Sequence, residues 1–130
     1  MPSIQQIIKS SVDSDSDLLK LADALDVEVN QIDFKHKLKL DVDYAILNMG
    51  TPFIGGTHWM AVSNKDKLYF DPLQLPPPLA IPRDYETAPF RIQNEQWGHC
   101  GDYCVLWLYF LQHDSLHRFY NLFTHLPSLI

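Results

Sequence analysis

The chain has 130 residues, of which 46% are hydrophobic, 12% aromatic and 20% charged, an ordinary globular composition for one domain over residues 1–130. A domain of this size buries roughly two-thirds of the surface its unfolded chain exposes, so it needs neither disulfides nor a structural metal to hold a core. Sixteen acidic against ten basic residues give a formal charge of −6, and no run of Lys and Arg is long enough to make a phosphate-binding stripe, which argues against nucleic acid as a partner.

Met1 to Ser10 lacks the positive-then-apolar pattern of a secretory signal, so an intracellular, soluble protein is expected. Ser3 and Gln6 have the form of a capping box, and Ile4, Ile7 and Ile8 repeat at helical spacing, which predicts a short opening helix. After the polar break Ser10–Ser16, Asp15 or Ser16 can cap a second helix with Leu18, Leu21, Ala22 and Leu25 on its apolar face. Leu38, Leu40 and Val42 alternate with charged residues and predict an edge strand, whereas Tyr44–Leu47 reads as a more buried one ended by Gly50 and Pro52. His58–Val62 and Leu68–Phe70 are apolar runs joined by Ser63–Lys67, a hairpin signal. Asp71 and Pro72 stop the second strand. Pro76, Pro77, Pro78 and Pro82 then impose a stiff surface loop.

Phe90–Gln93 can form another short strand. From Cys100 to about Gln112 the chain is apolar on every side, which predicts a helix enclosed by the rest of the fold. Its longest unbroken apolar run, Cys104 to Leu111, is far short of the roughly 20 residues that cross a bilayer. Cys100 and Cys104 lie four apart on that helix, where a mutual bridge would strain, so a reducing cytosol or nucleus is the expected setting. The expected fold is α+β: a small mixed or antiparallel sheet packed around a buried central helix, with flanking helices.

A thiol nucleophile needs a base to take its proton, a group that orients the base, and donors aimed at the oxyanion. His58 starts one hairpin strand and Asp71 follows the other, so antiparallel pairing carries them to the same end of the sheet. Cys100 stands where the polar segment Gln96–His99 gives way to the buried helix, at a helix N-terminus whose partial positive charge favours thiolate. Gly101 permits close backbone approach there. Each residue alone has a plainer reading: a structural histidine, an Asp-Pro turn former, a buried helical cysteine. For Cys104 the plain reading is the one adopted.

Taken in order, Ile46-Leu47-Asn48, Gly55-Gly56-Thr57-His58-Trp59, Tyr69-Phe70-Asp71-Pro72 and Cys100-Gly101-Asp102-Tyr103-Cys104 resemble the adenain-like cysteine proteases. That group comprises the adenoviral endopeptidases and their relatives in large DNA viruses and virus-like transposons, which share a fold with the ubiquitin-like-protein proteases. The resemblance covers roughly Tyr44 to Leu111. It implies Cys100 as nucleophile, His58 as general base, Asp71 as orienting carboxylate and Trp59 as a wall of the channel that holds the substrate's small residues. It also implies a glutamine of the oxyanion hole six or seven positions before the cysteine; Gln93 stands seven before Cys100, and Gln96, four before, fits less well.

The implied activity is a thiol endopeptidase that cuts after a small residue, glycine first, in a viral precursor protein or a ubiquitin-like conjugate. The implied setting is a host cell's cytosol or nucleus, or the virion. Alternatives are an acyltransferase using the same three residues and a catalytically idle module that grips glycine-ended tails. No cofactor or metal is expected: Cys100, Cys104, His99, His113 and His117 match no compact zinc spacing, and His113 and His117 read as one solvated helix face.

Overall fold

The computed structural model describes residues 15–49, 58–89 and 100–124, Cys100 and Thr124 by their backbone alone. The helix expected on Ile4, Ile7 and Ile8 and the strand expected over Phe90–Gln93 lie outside the described residues.

Helix α1 (Asp15–Ala24) carries Asp15 and Asp17 in its first turn, where carboxylates complement the helix dipole. Leu18, Ala22 and Leu25 are buried on the expected face. Its end is a Schellman motif: Asp26 takes φ 56°, Val27 N–H donates to Ala22 O at 2.8 Å, and Asp26 N–H to Asp23 O at 3.1 Å. Val27 then packs in the same core as Ala22, so the motif redirects the chain into the sheet.

The sheet is mixed and five-stranded, in the order β1 (Gln31–Phe34), β2 (Tyr44–Asn48), β3 (Trp59–Ser63), β4 (Leu68–Phe70), β5 (Glu86–Thr87). The outer pairs β1/β2 and β4/β5 are parallel, and the inner pairs β2/β3 and β3/β4 are antiparallel. The edge strand is Gln31–Phe34 rather than Leu38–Val42. Residues 35–43 are the return path, a 3₁₀ turn (Lys35–Lys37) and a loop, too short for the helical crossover that usually joins parallel strands. The Gln31 side chain stands in for the missing ladder, donating to Lys37 O at 2.8 Å and accepting from Lys39 N–H at 2.9 Å. Leu38 and Val42 alternate because they plug the core beneath the loop; Leu40 between them is exposed.

The hairpin is as short as the sequence requires. In its turn, Ser63 Oγ donates to Asp66 Oδ2 at 2.7 Å and Lys67 takes φ 56°. Asn64 ties that turn to the neighbouring loops: its Nδ2 donates to the Lys39 and Val42 carbonyls, and its Oδ1 accepts from Tyr85 Oη at 2.7 Å.

Helix α2 (Cys100–His113) is buried from Gly101 to Leu108. It packs against β2 and β3 and touches both α1 and α3 (Leu116–Thr124). Phe70 stacks on Trp107 at 5.4 Å and meets Phe119 edge-on at 5.7 Å, so one strand and two helices share a single aromatic contact. The helices all occupy the Ile46, Trp59, Ala61 and Phe70 face. The opposite face, Ala45, Leu47, Met60, Val62 and Tyr69, is closed by loop residues Leu38, Val42, Met49, Ile81 and Tyr85. Asp114 and Ser115 break the helical run, so His113 and His117 stand on two helices rather than on one face. Among the described residues no helix is long and apolar enough to cross a membrane.

Candidate active site

Strand alternation gives His58 the same side of the sheet as Met60 and Val62, and gives Asp71 the side of Tyr69. The register Ala61↔Phe70, continued one pair, sets Asp71 across from Met60 and diagonal to His58. The two side chains meet there: His58 Nε2 lies 2.7 Å from Asp71 Oδ1. Both are buried, at 9% and 2% exposure, and a hydrogen bond so removed from water is held in one geometry. The His58 backbone is fixed as well, its carbonyl accepting Met49 N–H at 3.0 Å where β2 continues past its last paired residue.

The carboxylate is oriented by its own turn. Leu73 N–H donates to Oδ1 at 2.8 Å and Leu75 N–H to Oδ2 at 3.3 Å, while Gln74 N–H closes a β-turn on Asp71 O at 2.9 Å. Pro72 suits the second position of that turn, and Gln74 continues it at φ 54°, anchored by Nε2 to Ala88 O at 3.3 Å. A carboxylate only accepts, so Nε2 of His58 carries the hydrogen, and in a neutral ring the lone pair is then on Nδ1. The turn-forming and the orienting readings of Asp71 are therefore one arrangement. The Asp71-Pro72 pair signals the turn; Leu73, Leu75 and Gln74 carry no side-chain signal that marks them, because they act through the backbone. Beside the pair, the Tyr69 phenol is pushed above its ordinary range by burial and then by the Asp71 charge.

The direction of α2 follows from its far end. Gln112 exchanges two hydrogen bonds of 2.8 Å with the Glu28 backbone, and the His113 ring bonds to Asp26 O. Those residues lead into β1, whose first residue Gln31 pairs with Ala45 at the opposite end of the sheet from Asn48 and Trp59. The C-terminus of α2 is thus held at the Tyr44 end, and its first residue, Cys100, is directed to the end where His58 and Asp71 stand. The helix packs along one face, and the His–Asp pair stands at the strand ends of the other.

Trp59 is 2% exposed and among the largest fully buried side chains, a core residue of the helix-covered face. It also borders a small pocket of about 120 Å³ with Asp15, Ile32, Asp33, Phe34 and Asn48. Gln93 and Gln96 lie outside the described residues. Cys104 is fully buried in the core. Among the described residues no group of three or more His, Cys, Asp or Glu side chains could hold a metal ion. No known protein family, curated protein or solved structure matches the chain.

Proposed function

We propose that the protein is a thiol endopeptidase that cleaves after a small residue, glycine first. The observation that carries this reading is the buried 2.7 Å His58–Asp71 pair, with Nδ1 left to act as base, at the sheet end toward which the Cys100 helix begins. In the proposed reaction His58 Nδ1 takes the Cys100 thiol proton, and the thiolate attacks the scissile carbonyl carbon. The same nitrogen then protonates the leaving amine as the C–N bond breaks. Water, deprotonated by His58, hydrolyses the thioester and regenerates the thiol. Gln93 is the proposed side-chain donor to the oxyanion, worth several kcal/mol in such sites. Trp59, through the pocket it borders, is the proposed contact for the residues before the cut. The proposed substrate is a viral precursor or a ubiquitin-like conjugate, met in a host cell's cytosol or nucleus or in the virion.

The test is covalent capture. A peptide ending in glycine and carrying a vinyl-sulfone electrophile should label the folded chain at Cys100, and neither Cys100→Ala nor His58→Ala should be labelled. Labelling that survives His58→Ala, or a folded chain that is not labelled at all, overturns the proposal.

A further inference from the structure

Two loops cross the face of the sheet that no helix covers, and they meet in a groove of about 390 Å³ lined by Lys35, His36, Pro77, Pro78, Leu79 and Ala80. Among the described residues six large apolar side chains are exposed; four of them, Phe34, Leu40, Leu75 and Leu79, belong to these two loops and their flanks. Leu79 is 102% exposed, so the fold makes no use of it. Single exposed leucines are ordinary, but a concentration beside a groove marks a contact surface.

The groove is charged as well as apolar. Lys35, Lys37 and Lys39 put three cationic side chains into five residues of a chain whose net charge is −6, with His36 among them. His36 stacks on Phe34 at 5.9 Å and Lys37 stands over the same ring at 5.8 Å, which holds the lysine-bearing turn in place. Of the two acids that flank this stretch in sequence, Asp33 and Asp41, Asp33 accepts Phe34 N–H at 2.8 Å and so serves its own strand end.

We propose that this groove docks an acidic protein segment that carries an apolar side chain: the apolar group against Pro77, Pro78 and Leu79, the acids toward Lys35 and His36. Charge complementarity selects the partner and the apolar contact supplies the affinity, since exposed ion pairs alone contribute little. A nucleic acid fits less well. The groove wall is aliphatic, and the Phe34 ring is already engaged by His36 and Lys37.

Fluorescence anisotropy on the full chain tests this independently of the proposed reaction. The probes are a labelled dodecapeptide of alternating glutamate and leucine, its glutamate–serine and lysine–leucine counterparts, and a single-stranded oligothymidine. The glutamate–leucine peptide should bind saturably and about tenfold or more tighter than the others, and Lys35→Glu and Leu79→Ser, both surface changes that leave the melt in place, should each cost about tenfold. Equal binding by either variant, equal binding of the serine peptide, preference for the oligothymidine, or no saturable binding overturns the proposal.

Discussion

Asp71 accepts three hydrogen bonds on one carboxylate, from His58 and from the Leu73 and Leu75 amides, so removing it does two things. Asp71→Ala frees the imidazole, and it also strands two partly buried amides at about 1–3 kcal/mol each if water does not reach them. We therefore expect Asp71→Ala to lower both the melting temperature and the turnover of a glycine-containing reporter peptide, yet to leave residual cleavage. His58→Ala should leave almost none, because in the proposed reaction the imidazole carries the proton and the carboxylate only orients it. Equal and total loss in both variants, with folding intact, would show that Asp71 does more than orient. Trp59 belongs to a different account. Buried at 2% in the core between sheet and helix, it should cost about 3–5 kcal/mol on truncation to Ala, read as a shift of the urea midpoint. A change in cleavage without that shift would mean the ring does not support the core.

Helix α2 sorts the two cysteines. Cys100 is its first residue, at a helix N-terminus whose partial positive charge favours thiolate; Cys104, one turn on, is fully buried, where the neutral thiol is favoured. Iodoacetamide at mildly acid pH should modify Cys100 and spare Cys104, as peptide mass mapping would report; modification at Cys104 instead would overturn Cys100 as the proposed nucleophile. Elements of this kind are legible in sequence when their signal is local. The hairpin strands, the all-apolar helix and the Leu18–Ala22 face of α1 each depend on a periodicity within one segment. The Gln31–Phe34 strand is four residues long and is held by a parallel partner and by the Gln31 side chain, neither of which leaves a periodic trace. Leu38 and Val42 give the opposite error: they alternate like a strand because a loop inserts them into the second core. At the site, the His58–Asp71 placement was readable because hairpin register dictates it. The backbone donors that hold Asp71 were not, since any side chains at 73 and 75 would supply the same amides.

The whole molecule is a sheet closed by helices on one side and by loops on the other, and tyrosines are buried on both. Tyr69 lies under the loops, while Tyr103 and Tyr120 belong to the helical layer. Burial raises all three phenols above the ordinary value of 10.0; the charges of Asp71 and Asp102 add to this at Tyr69 and Tyr103, and the Trp107 hydrogen bond opposes it at Tyr120. A pKa raised on folding means that the folded chain holds the proton more tightly. The contribution is full below pH 10 or so and is lost as pH climbs past the unfolded value toward the folded ones. The melting temperature should accordingly fall steeply above about pH 10. The tyrosinate absorbance of the buried residues should rise together with the loss of far-ultraviolet dichroism rather than ahead of it. Tyr69→Phe removes the most strongly shifted phenol along with its hydrogen bond to Met60 Sδ, so it should lower stability slightly at neutral pH and move the alkaline transition upward. Full tyrosine ionisation near pH 10 with dichroism unchanged would mean that water reaches these rings, and that the loop-closed face is open in solution.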